Sequence, residues 1–424
     1  MLKINSFVMF IQLGLGFSCW AQDTINLNWC LDKTVQNHQR SSDASTIESI
    51  LENKIRNIRS GNLPQLELNG KASYQSDAIT IDVNIPLPGI ELPRSPRDQY
   101  KVSVDITQSL YDGGLAKSKQ KIEEVSTKVE KSQLEMEIRL SKMQVKDLYY
   151  SVLLIQKNQE VIDISMDHLL RNRRVVEAGI KSGIFLPSDL ELLDVEVIKL
   201  KQRSKELENS RVATMQVLSN KSGEPIPITA ILKPTTFEIP GMDTIQRLEQ
   251  QLFDLQSDQL AKNTSLIKSR TLPKLYAFGQ FGYGNPALNM LKDEFDTYYV
   301  VGAGLKWTIW DWNNNQRDMK TLSLQQSIVE NRKKQFESDI LSAIINQKAT
   351  IKNHTENVLA YESILRLRNS ITSTAKTQLE QGTIRTLDYI TVFNQEILAR
   401  IQFENEKTLL QQAIAKYLEI IGEL

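Results

Sequence analysis

Few residues in this chain have the type and spacing that covalent chemistry needs. The three histidines, His38, His168 and His354, are far apart, and Cys19 and Cys30 lie in no metal-ligand or nucleophile pattern. Catalysis and metal binding both require such side chains to converge, so an enzyme is the least supported class and no cofactor or metal is called for. Two carboxylates stand out instead. Asp189 follows a helix break holding Gly179, Gly183 and Pro187, and Asp388 follows one holding Gly382, Thr383 and Leu387. An acid in that place can serve the positive end of the helix it opens. Brought around an axis by several chains, the same acids would form a ring that holds a negative potential and attracts cations.

The two breaks are equivalent positions of a repeat. Setting Tyr100–Ile106 against Tyr299–Leu305 and continuing without a gap brings Asp112 onto Asp311, Gly183 onto Gly382 and Asp189 onto Asp388, with 299 − 100 = 199 and 388 − 189 = 199. Upstream, Leu63-Pro64 matches Leu272-Pro273 at 273 − 64 = 209, so the first copy carries about ten extra residues before Tyr100. The unit is strand, strand, long helix, helix.

Each copy shows two periods. Alternation marks strands at Leu66, Leu68, Gly70, Ala72 and Tyr74, continuing after a slip near Ser76-Asp77 as Ile79, Ile81, Val83 and Ile85. A second strand places Val102, Val104 and Ile106 on one face and Ser103, Asp105 and Thr107 on the other; in the second copy Val301, Ala303 and Leu305 oppose Lys306. Aromatics gather at strand ends: Tyr111, Tyr298, Tyr299, Trp310 and Trp312. Then, from Leu115 to Ala178, no Gly or Pro interrupts a seam through Val145, Leu148, Val152, Ile155, Gln159, Ile162, Met166 and Leu169, which permits a helix on the order of 95 Å long.

The 424 residues carry 51 basic and 51 acidic side chains and no basic run, which argues against a nucleic-acid partner. Lys3, an apolar run from Phe7 to Phe17 and small residues to Ala21 read as a secretory leader, residues 1–21. Its removal takes Cys19 and leaves Cys30 without a disulfide partner; the alternative is a lipoprotein with Cys19 acylated, against which Gly16 stands where such signals usually carry Leu. The following expectations are residues 22–220 as the first repeat, with a helix over 32–60, strands over 65–85 and 99–111, and helices over 113–180 and 188–220. An irregular linker covers 221–242. The second repeat, 243–424, has a helix over 243–270, strands over 274–284 and 298–310, and helices over 313–380 and 388–421.

An exported chain with one-sided apolar strands and no long uncharged helix would meet a membrane through strands, with Val102, Val104, Ile106, Val301, Ala303 and Leu305 facing lipid. Four strands cannot close a barrel, so several chains must pool them. An exported coiled-coil scaffold or a periplasmic adaptor are the alternatives; an adaptor is expected to have one helical hairpin, whereas here a strand pair precedes each of two.

With these residues in place the chain resembles the TolC-like outer-membrane efflux protein family. The resemblance rests on the Leu-Pro start of each first strand, on Leu110-Tyr111-Asp112-Gly113-Gly114, and on the Gly-x5-Asp break in both copies, most specifically Gln381-Gly382-Thr383 with Leu387-Asp388. The second strand exit departs, reading Trp310-Asp311-Trp312-Asn313 without glycine, and Leu192 and Thr391 stand where some members carry a second Asp. The resemblance implies a fold that is mainly α with membrane β: a homotrimer with a 12-strand outer-membrane β-barrel continued by a 12-helix periplasmic α-barrel. It also implies passive conduction of cargo in a tripartite efflux or type I secretion system. A periplasmic adaptor bound to an inner-membrane pump would dock at Gly179, Gly183, Pro187, Gly382, Thr383 and Leu387, with Asp189 and Asp388 at the periplasmic gate.

Overall fold

The computed structural model describes residues 24–79, 94–240 and 245–423. The leader reading, the strand positions Ile81, Val83 and Ile85 and most of the first hairpin loop lie outside these residues. A short strand β1 (Thr24–Ile25) leads to helices α1 (Leu27–Gln36) and α2 (Asp43–Ser60), then strands β2 (Gln65–Tyr74) and β3 (Asp98–Tyr111). Helices α3 (Leu115–Lys181) and α4 (Pro187–Ser222), strand β4 (Ile231–Leu232) and helix α5 (Leu248–Arg270) follow. Strands β5 (Lys274–Asn285) and β6 (Asp296–Lys306) and helices α6 (Asn314–Glu380) and α7 (Thr386–Ile421) complete the chain.

The repeat seen in the sequence is a repeat of helices in space. Both α3 and α6 have 67 residues and both α4 and α7 have 36. The starts differ by 314 − 115 = 199 and the ends by 421 − 222 = 199. At a rise of about 1.5 Å per residue the long helices reach roughly 100 Å. Among the described residues no helix is long and apolar enough to cross a membrane.

Strands from both copies join one antiparallel sheet in the order β2-β3-β5-β6, leaving β2 and β6 as edges. The register aligns apolar residues across all four strands: Leu66, Ile106, Gly279 and Val301 in one row, Leu68, Val104, Phe281 and Tyr299 in the next. Much of this face is open, with Leu68 and Val301 each 74% exposed. Opposite it, Asp105 accepts from Asn69 Nδ2 at 2.5 Å and from Gln280 Nε2 at 2.6 Å. Glycines on this second face make room for rings, since a Cβ at Gly282, Gly302 or Gly304 would strike Tyr298, Phe278 or Tyr276. Tyr298 is therefore buried over Gly282 and does not belong to the exposed aromatic set, and Ser103 is also buried.

Several expected boundaries are corrected. The helix over 32–60 is two helices, α1 and α2, because no apolar residue lies between Val35 and Ala44 to hold that segment on the core. The strand over 65–85 stops at Tyr74, where its partner β3 begins at Asp98; beyond the slip, Ser95 N donates to Ile79 O at 3.0 Å. The strand over 298–310 ends at Lys306, whose partner Lys274 is the first residue of β5, so Trp307–Trp310 have no ladder to join. The helix over 243–270 starts at Leu248, because Gln246 N and the Arg247 guanidinium donate instead to carbonyls at the end of α7. Within the linker over 221–242, β4 pairs in parallel with β1.

That small ladder anchors an equatorial core. The buried Gln156 side chain donates to Leu232 O and accepts from Leu232 N, and Tyr149 donates to Ile25 O and Lys233 O. Gln156, rather than the partly buried Gln159 of the expected seam, is the polar residue that meets the core. Cys30 lies in the same cluster, with burial pushing its thiol up to about 12. The buried Lys146 ammonium pairs with Glu419 while Arg139 and Arg247 donate to Glu419 O.

The departure at the second strand exit has a backbone explanation. Gly113 and Gly114 have φ of 73° and 79°, and their equivalents Trp312 and Asn313 hold 57° and 60°. In both copies the preceding Asp then caps the long helix: Asp112 accepts from Ala116 N at 2.6 Å and Asp311 from Asn315 N at 3.0 Å. The left-handed conformation costs a non-glycine residue about 1–2 kcal/mol, and at Gly113 a Cβ would also lie 2.8 Å from Ser269 O. Gly114 has open space instead. Thermal unfolding should therefore place Gly113→Ala below Gly114→Ala, and equal midpoints would refute the crowding at Gly113.

Candidate functional site

The helix tips carry the expected site residues. Each turn closes by the same bonds: Ile184 N donates to Gly179 O at 2.9 Å and Thr383 N to Gln378 O at 2.8 Å, while Gly183 and Gly382 hold φ of 73° and 69°. The tips touch, because a Cβ on Gly382 would sit 2.8 Å from Ile184 Cγ2. Gly183, Pro187, Gly382, Thr383 and Leu387 are exposed. Gly179 is not; it is buried beneath Phe185, where a Cβ would approach the ring to 2.4 Å, so it builds the turn and offers no docking surface.

The two acids have different surroundings. Asp189 turns its Oδ2 back to accept from Leu186 N at 2.9 Å, the capping use of a helix-start acid. Asp388 is held by Arg385, with Nε to Oδ2 at 2.9 Å and Nη2 to Oδ1 at 3.0 Å. That carboxylate keeps the Arg385 pKa raised, chiefly through the hydrogen bonds. Among the described residues there is no group of His, Cys, Asp and Glu that would hold a metal ion.

Behind the tips, helices α3, α4 and α7 are tied together by groups that the sequence pattern did not single out. Tyr389, stacked on Phe393 at 5.8 Å and 18°, accepts through its hydroxyl from the buried Asn172 Nδ2, joining α7 to α3. Burial pushes the Tyr389 hydroxyl well above its ordinary range. Arg173 grips Asp194 across α3 and α4 at 2.6 and 3.3 Å, and this holds the Asp194 carboxyl below its usual range. Asn394 donates to Glu196 at 3.2 Å between α7 and α4. One signal was available: the next step of the heptad seam, four residues past Leu169, lands on Arg173.

The sheet supplies the other half of the site. Val102, Ile106, Val301, Ala303 and Leu305 are exposed on the apolar face and Val104 is partly so. Aromatic clusters lie at both ends. Tyr100 and Tyr283 stack on Phe295 near the hairpin loops, and Trp310 meets Trp312 edge-on beside the helices.

Solved structures share this architecture. VceC, an outer-membrane protein of Vibrio cholerae, matches at 10% identity over 93% of this chain and 96% of its own, with a TM-score of 0.69. CusC matches at 11% identity over 93% and 92%, with a TM-score of 0.73. The Campylobacter jejuni CmeC outer-membrane channel matches at 14% identity over 100% and 94%, with a TM-score of 0.68. No protein-family model matches the sequence, and no curated protein is similar to it in sequence. The chain thus has the fold of the TolC-like outer-membrane channels, as the motifs implied.

The Asn172–Tyr389 bond can be tested on stability. Tyr389→Phe leaves a buried amide without its partner, at a cost of about 1–3 kcal/mol. Thermal unfolding should show that loss, and Asn172→Leu added to Tyr389→Phe should recover part of it. A double variant less stable than Tyr389→Phe would show that Asn172 has another use.

Proposed function

We propose that this protein is an outer-membrane channel of an efflux or secretion system, in which three copies pool their sheets into a 12-strand barrel continued by a 12-helix periplasmic tunnel. The observation that carries the reading is an open-edged four-stranded sheet with one exposed apolar face, attached to helices of roughly 100 Å. Lipid offers no hydrogen bonds to strand edges, so β2 and β6 must pair with other copies of each other. The aromatic clusters at both sheet ends fit the interfacial girdles of such barrels. Cargo passes through unaltered, and an inner-membrane pump with its periplasmic adaptor supplies the energy; the adaptor meets the exposed tip residues Gly183, Pro187, Gly382, Thr383 and Leu387.

Assembly is tested first. The purified chain should be a trimer in detergent by light scattering, and a stable monomer would overturn the reading. A charge facing lipid near the bilayer midplane costs about 2–4 kcal/mol, so Val104→Arg should impair membrane insertion. Thr107→Arg, on the opposite face of the same strand, should insert normally; the reverse order would invert the assignment of faces.

At the tunnel mouth three copies would bring six carboxylates, Asp189 and Asp388 from each. Because Asp388 faces Arg385 and Asp189 is engaged by its own backbone, Asp388 freed from its arginine dominates the field. In single-channel recordings with a trivalent cation on the periplasmic side, Asp388→Asn should weaken block, the double change with Asp189→Asn should weaken it further, and Arg385→Gln should strengthen it. A blocking constant unchanged in all three would reduce both acids to helix starts.

A further inference from the structure

A groove between α3 and the α6–α7 hairpin encloses a cavity of about 280 Å³ that begins beside Tyr389, one residue past Asp388. Each of the three helices supplies it with a cation: Arg171 from α3, Lys376 from α6 and Arg400 from α7, and Glu396 is the one acid among the lining residues. The wall is therefore net positive. Arg400 is engaged, donating to Glu396 Oε1 at 2.8 Å and to Asn369 Oδ1 at 2.9 Å. Arg171 and Lys376 have only loose partners on their own helices, Asp167 at 3.7 Å and Glu380 at 3.8 Å. An oxyanion at 2.7–2.9 Å would be a better partner for either.

A second feature points the same way. The Thr372 hydroxyl lines the cavity, its residue is only 7% exposed, and its oxygen has no hydrogen-bond partner among the described residues. Buried polar groups are ordinarily satisfied, so an orphan at the wall of a cationic cavity marks a place for an acceptor. His168 lies at the same wall; burial first, then Arg171, with Arg400 and Lys376 adding and Glu396 opposing, holds its pKa below the ordinary value. The stacked Tyr389 and Phe393 rings add an apolar surface.

We propose that this groove binds a small organic anion, its carboxylate, sulfonate or phosphate head against Arg171 and Lys376 and accepting from Thr372, its apolar body on Tyr389 and Phe393. Such a ligand spans α3, α6 and α7 and so ties the two repeats together beside the tips. The proposal is independent of conduction, because binding is read on the purified chain without any transport measurement.

Benzenesulfonate and inorganic sulfate are the probes, titrated calorimetrically into the full chain in detergent at constant ionic strength. One saturable site per chain is expected, with benzenesulfonate tighter than sulfate. Arg171→Gln and Lys376→Gln should each weaken binding by about tenfold or more, as loss of a charged hydrogen bond does. Thr372→Val should weaken it severalfold with no change of charge, and Lys320→Gln, on an exposed stretch of α6, should leave it unaltered. A measurement free of variants uses histidine-labelled protein: bound anion should raise the His168 pKa and leave those of His38 and His354 unmoved. Absence of saturable binding, equal affinity for the two probes, insensitivity to Thr372→Val and Lys376→Gln, or an unmoved His168 pKa would each overturn the assignment.

Discussion

Among the described residues, a sheet with one apolar face and two unpaired edges finds no partner for either edge. In water the face is a liability, and in lipid each unpaired backbone group is costly, since nothing there replaces the missing bond. β2 and β6 carry those edges, and the rows through Val104 and Val301 carry that face. The rest of the architecture follows from this constraint. Two strands per repeat make half of one chain's sheet, the repeats must lie side by side to make it whole, and the helices that follow must therefore leave from the same end.

Side-by-side repeats explain why the two halves differ where they do. The helices, which set the length of the structure, agree residue for residue in extent. The strand exits need only two successive left-handed residues after a capping Asp, and glycine at both positions or Trp-Asn meet that need with different strain. The tips need one glycine and one acid, and both copies keep them. What surrounds the acid is free to change, and so Asp189 bonds its own backbone while Asp388 bonds Arg385.

The fold was readable from the sequence because its signals are periodic and doubled. A 67-residue helix leaves a long seam without Gly or Pro, and alternation at Val102, Val104 and Ile106 shows which face is apolar. Boundaries that depend on a partner were not readable. Strand β6 stops at Lys306 because β5 starts at Lys274, which the alternation through Ile309 cannot reveal. Residues 245–247 look helical in pattern but stand outside the helix, with Gln246 and Arg247 bound to the far end of α7. The tip acids were legible as positions, whereas Arg173–Asp194 and Asn172–Tyr389 require knowing which helix faces which.

Charge at the tips is more balanced than two conspicuous acids imply. Arg385 lies three residues before Asp388, so any arrangement that brings three Asp388 carboxylates together also brings three guanidinium groups. Yet the Arg385 side chain is 79% exposed, and water and salt screen an exposed pair of this kind until it holds only weakly. Converging carboxylates repel one another, and a multivalent cation that bridges them competes directly with each arginine. The pair therefore lowers the affinity for a bound cation without preventing the exchange. Asp189 lacks that freedom, because releasing its Oδ2 gives up the cap on Leu186 N as well. Two acids at equivalent places in the repeat thus differ in what it costs to use them, and the second copy holds the one that is free to respond.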